Sequence, residues 1–150
     1  MLFSSSFKHR FFSAFREVFV HHHGSLEFRA KILALFISVN MQEQEDYYEF
    51  IKKIAINIYE NDEDRANLLI LTVRELVKKV KDNNGLDVDM LVLHIQNELK
   101  VVPRYAKKID TDCLRGLLNV SKDEDIISYQ ENVLEFLDTL KEDTLLKLKD

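Results

Sequence analysis

The stretch SLEFRAKILALFISV, residues 25–39, decides the fold of this chain. Its apolar side chains Leu26, Phe28, Ile32, Leu33, Leu35, Phe36, Ile37 and Val39 leave only a narrow polar strip, which predicts a central, largely buried helix. Gly24 breaks any helix before it. Ser25 is placed to cap the N-terminus of the central helix, with Glu27 in the first turn where the helix dipole favours a carboxylate.

Amphipathic segments follow on the C-terminal side. After the polar loop of residues 40–46, Tyr47, Phe50, Ile51, Ile54 and Ile58 recur at three-to-four spacing, which predicts a helix over residues 47–59. Asn61 to Asp64 supply caps and negative charge for a long helix carrying Leu68, Leu69, Val73, Leu76, Val77 and Val80. Asn84-Gly85 suits the positive φ of a turn. A further helix over residues 86–99 is stopped by Pro103. The last pair covers residues 111–119 and 123 to about 140, and Ser121 with Glu124 between them matches a capping box.

On the N-terminal side Phe3, Phe7, Phe11, Phe15 and Phe19 recur every four residues, so a helix would gather them into one aromatic stripe opposite Lys8, Arg10 and Arg16. Such a stripe calls for cover, either by this domain or another chain, or by an anionic lipid surface. With this helix the count is about seven, and short connections join them into an all-α compact bundle. The expected organisation is an amphipathic aromatic helix over residues 1–23 and a helical domain over residues 24–150.

Composition agrees with one domain. The chain has 150 residues, 46% of them hydrophobic and 31% charged, with only three Gly and one Pro, too little punctuation for a turn-rich β architecture. A lone cysteine, Cys113, excludes an intramolecular disulfide and fits a reducing, cytoplasmic setting. The longest apolar run, residues 32–39, contains Ser38 and falls well short of the ~18 residues a spanning helix needs. Residues 1–20 lack a continuous apolar core and a small-residue cleavage site, so the N-terminus reads as mature protein. Net charge is −5 with no dominant basic stripe, which argues against a nucleic-acid ligand.

An internal echo then stands out. ISVNMQEQED, residues 37–46, ends a buried helix and enters an acidic loop before Tyr48-Glu49-Phe50-Ile51; residues 118–125 do the same before Leu134-Glu135-Phe136-Leu137. Two helix–acidic loop–helix units of this kind would pair as a pseudo-duplicated core. In these features, over residues 25–141, the chain resembles the TerB family of tellurite-resistance-associated proteins and the similar helical domain in front of the J domain in some membrane-anchored DnaJ-type cochaperones. The carriers are the helix of residues 28–35, the acidic turn after it, and the late pair of residues 117–120 and 134–137. Where that family shows an Ala-Asp-Gly-like turn, this chain has Val39-Asn40-Met41 and Val120-Ser121-Lys122. The resemblance implies an all-helical, non-enzymatic domain linked to stress responses, metal association or protein contacts. No His-Pro-Asp is present, so the chain holds no J domain.

Candidate sites follow from these features. Glu43, Glu45 and Asp46, with Asp123, Glu124 and Asp125 from the echo, are the carboxylates that a divalent cation would draw on, since calcium wants six to eight oxygens. The competing explanation is capping, because acidic residues at helix starts are favoured by the dipole with or without a metal. His21, His22 and His23 point about 100° apart in a helix and cannot share one metal there. His94 sits between Leu93 and Ile95 as a packed or surface histidine, and Cys113 has no activating histidine in sequence. The leading expectation is a cytoplasmic, TerB-like binding or regulatory domain, without catalysis, working in a stress or chaperone context with a protein partner. The alternative is a peripheral membrane or assembly protein that uses residues 1–20 for lipid contact or self-association.

Overall fold

The computed structural model describes residues 24–42 and 44–149, and every regular element among them is helical. In chain order these are α1 (Gly24–Ile37), α2 (Gln44–Ile58), α3 (Glu63–Lys81), α4 (Val88–Val101), a 3-10 helix (Pro103–Lys108), α5 (Thr111–Leu117) and α6 (Glu124–Lys149). The aromatic stripe, the three histidines and the 1–23 segment lie outside the described residues.

Helix α1 is the axis of the bundle, as its sequence requires. Every side chain from Ile32 to Ile37 is buried, and α3, α4, α6 and the 3-10 helix all pack on it. A helix apolar all round is stable only when neighbours cover it all round. Its start differs from expectation: the helix already includes Gly24 and Ser25, so Ser25 sits inside the first turn instead of capping it. Gly24 serves close approach here, since a Cβ on it would stand 2.5 Å from the Tyr105 hydroxyl. The Phe28 and Tyr105 rings meet just beyond, with centroids 5.4 Å apart.

The joints carry most of the local logic. Helix α2 begins at Gln44, three residues before its apolar pattern, because the Gln44 side-chain nitrogen donates to the carbonyls of Ile37 (2.9 Å) and Asn40 (2.5 Å) and ties α2 to the end of α1. Between α2 and α3 the amide of Asn61 returns to the Ile56 carbonyl at 2.9 Å while Glu60 and Asn61 take positive φ, 52° and 68°. This closes the orphan carbonyls of a helix end without glycine. Asp62 then caps α3 by accepting from the Arg65 amide, as the acidic run predicted. After α3 the positive-φ residues are Asn83 (52°) and Gly85 (76°), and Asp87 caps α4 through the Met90 amide at 2.8 Å. Pro103 does more than stop α4: it opens the 3-10 helix, where its missing N–H costs nothing.

Two further boundaries correct the sequence reading. The cap of α6 is Asp123, which accepts from the Asp125 amide at 2.9 Å, while buried Ser121 accepts from the Asp123 amide at 3.1 Å and shapes the turn before it. The Ser–Glu capping box does not form. Helix α6 also continues past Leu140 to Lys149, because the Lys141 ammonium donates to the Ile109 carbonyl at 2.8 Å and Leu145 packs on the core.

The two echo units meet crosswise. Helix α1 of the first contacts α6 of the second, and α2 of the first contacts α5 of the second. Their seam is polar and buried: the Gln130 side-chain nitrogen donates to the Phe36 carbonyl at 3.1 Å and to the Tyr47 hydroxyl at 3.0 Å, and Asn40 donates to the same hydroxyl at 3.1 Å. Gln130 and Tyr47 have no exposed surface and Asn40 almost none.

Candidate functional site

Six elements converge on one cleft of about 330 Å³. Its floor is apolar: Ile32 and Leu33 from α1, Ile54 and Ile58 from α2, Leu69 from α3 and Leu114 from α5. Its rim is cationic. Arg29 stands one turn above Ile32 and Leu33 on α1, Lys107 and Lys108 end the 3-10 helix, and Lys141 reaches in from α6. Among the described residues Asp110 is the one carboxylate in the wall, set against four cations in a chain whose net charge is −5.

Helix termini place these charges. Pro103 starts a six-residue 3-10 helix that can run no further, and its last turn delivers Lys107 and Lys108 together. Ile109 then turns its side chain into the core, fully buried, and Asp110 caps α5 through the Cys113 amide at 3.1 Å. Lysine 141 is held by the Ile109 carbonyl. Arg29, Lys107 and Lys108 form no ion pair with another described residue.

Cys113 lines the same cleft, half-buried, with its sulfur 3.0 Å from Asp110 Oδ2. Burial, then the hydrogen bond and the charge of Asp110, push the thiol up to about 11. The thiol donates and Asp110 accepts, which in turn holds the Asp110 carboxyl below its usual range. A thiol kept protonated by a carboxylate is the opposite of an activated nucleophile, which needs a cationic or basic neighbour. The Tyr59 ring is approached by two guanidiniums, Arg29 at 5.8 Å and Arg65 at 4.7 Å from its centroid, and burial raises its phenol.

The carboxylates singled out from sequence have other work. Glu45 makes a bidentate pair with Arg74 on α3, at 3.0 and 3.1 Å, and that guanidinium, which also stacks 4.1 Å over the Tyr48 ring, lowers the Glu45 carboxyl. Asp123 caps α6; Asp46, Glu124 and Asp125 stand exposed in first turns. Glu43 and the residues Phe3, Phe7, Phe11, Phe15, Phe19, Lys8, Arg10 and Arg16 lie outside the described residues. Among the described residues no three His, Cys, Asp or Glu side chains gather to hold a metal ion. His94 is half-buried on α4 and joins no such group.

Sequence reading missed the cleft because its cations come from positions 29, 107, 108 and 141, which no local pattern connects. The adjacent Lys107-Lys108 just before the Asp110 cap was the one available signal. No helix among the described residues is long and apolar enough to cross a membrane. Comparison with known protein families, curated proteins and solved structures finds no match to this chain.

Proposed function

We propose that this chain is a non-catalytic binding or regulatory module, TerB-like in kind, that holds a small anionic ligand in the cleft beneath Lys107 and Lys108. The observation that carries the reading is the set of three cations without ion-pair partners among the described residues, placed over a floor of buried and half-buried aliphatic side chains. Ligand pockets combine that kind of apolar lining with a few placed polar groups. The protonated state of Cys113 supports holding over chemistry, since the one thiol of the chain is tuned away from reactivity. A stress-response or chaperone setting rests on the sequence resemblance alone, and a cytoplasmic location on the lone cysteine. A protein partner would then read whether the cleft is filled.

Amide chemical-shift mapping tests this. A panel of small anionic and neutral compounds is titrated into the full chain. Anionic members are expected to move the amides of Ile32, Ile58 and Cys113, and neutral members of equal size to move them far less. A panel in which no anionic member shifts those three would overturn the reading.

A further inference from the structure

We infer that the cleft takes one medium-chain carboxylate, with its alkyl chain on the floor formed by α1, α2 and α3 and its carboxylate between Arg29 and the Lys107–Lys108 pair; this rests on the binding-module reading and names its ligand class. Three observations converge on that chemistry. The first is size: about 330 Å³ is at the small end of the roughly 300–1,000 Å³ typical of small-molecule sites. It holds a decyl-length chain and is too small for an amphipathic helix laid in a groove.

The second is depth. The floor open to the cleft comes from Ile54, Ile58 and Leu33, backed by the buried Leu69 and Leu114, so a ligand chain lying on it meets hydrocarbon with the core directly beneath. A purely polar anion such as phosphate would leave that aliphatic floor with water and gain nothing from it. The third is charge. Asp110 is already engaged by the Cys113 thiol and amide, and Lys141 by the Ile109 carbonyl, which leaves Arg29, stacked on Tyr59, with Lys107 and Lys108 as the cations that no carboxylate among the described residues neutralises. One carboxylate satisfies two of them by charge-assisted hydrogen bonds. An acidic peptide with one apolar anchor is the nearest competitor, but peptide recognition uses a strand edge or an elongated groove to satisfy the peptide backbone. The cleft offers a single hole bounded by helices whose backbone is internally bonded.

Isothermal titration of the full chain with decanoate, kept below its micelle concentration, tests the inference against decanol, inorganic phosphate and a short acetylated peptide of one Leu followed by four acidic residues. Chemical-shift mapping runs alongside. Decanoate is expected to bind with one-to-one saturation at the cleft amides, about tenfold or more tighter than decanol or phosphate. The K107A/K108A variant is expected to weaken it about tenfold, and Ile58→Trp, which fills the cleft, to abolish it; Ile54→Phe serves if Ile58→Trp melts early. Equal affinity for decanoate and decanol, or decanoate binding that survives a folded cleft-filling variant, overturns the inference. If decanoate fails while the peptide shifts the cleft amides, the carboxylate assignment falls and the module reading stands. Silence from every anionic probe at the cleft removes both.

Discussion

The side-chain nitrogen of Gln130 lies 3.0 Å from the hydroxyl of Tyr47, and neither residue has any surface in contact with water. Because a buried donor left without its acceptor costs about 1–3 kcal/mol, Tyr47→Phe and Gln130→Met should each destabilise the protein by about that amount. The two share one network, so the double variant should lose less than the two single losses combined, with a coupling of about 1 kcal/mol measured by urea unfolding. Strict additivity would show that the seam holds by packing alone.

Gly116 on α5 faces the Phe50 ring of α2 so closely that a Cβ would stand 2.6 Å from Cζ. Alanine normally favours a helix over glycine by about 1 kcal/mol. Here Gly116→Ala should reduce stability, since the ring must swing away from α5. In a Phe50→Ala background the same change should stabilise by up to about 1 kcal/mol. Thermal melts of the four proteins read that reversal of sign directly.

Cys113 should react sluggishly. With its thiol at about 11 instead of the ordinary 9.0, iodoacetamide at pH 8 should modify it about a hundredfold more slowly than an unperturbed thiol. Asp110→Asn keeps an N-cap side chain for α5 but removes the negative charge, so alkylation should speed up. An unchanged rate in that variant would assign the shift to burial alone.

The Glu45–Arg74 pair makes stability depend on acid. A carboxylate whose folded value lies below its ordinary 4.5 adds stability that is present above that value and is lost as pH falls through the folded one. The melting temperature of the wild type should therefore exceed that of Glu45→Gln at pH 7, and the two should converge as acid takes the pH below the ordinary carboxylate range. Raising salt at pH 7 should narrow the gap, because both side chains are largely exposed.

What the sequence disclosed follows from what is local in it. The cap Asp62, the turn ending at Gly85 and the largely apolar surface of α1 are set within a few residues, and each was legible; the Asp87 cap, equally local, escapes the sequence reading, which begins the helix there at residue 86 instead of Val88. The length of α6 was not, since Lys141-Glu142-Asp143 looks like a solvated end until Ile109 supplies a carbonyl for the lysine. Nothing in the sequence around Gln130 sets it apart; only the arrival of Phe36 and Tyr47 makes it a core residue. The cleft belongs to the same class, assembled from positions too far apart for any spacing rule. The carboxylate clusters pointed to a cation in sequence, whereas Arg74 and the α6 N-terminus use two of them.

The bond from Gln130 to the Phe36 carbonyl joins positions 94 residues apart. Closing so long a loop costs chain entropy before any contact offsets it, while α1, α2 and α3 meet through short connections. That cost predicts a seam made late in folding, when α6 docks on a surface built by the first three helices. Until then the apolar stripe of Val133, Leu134 and Leu137 faces water, and the interval before docking is when this chain is most exposed to aggregation.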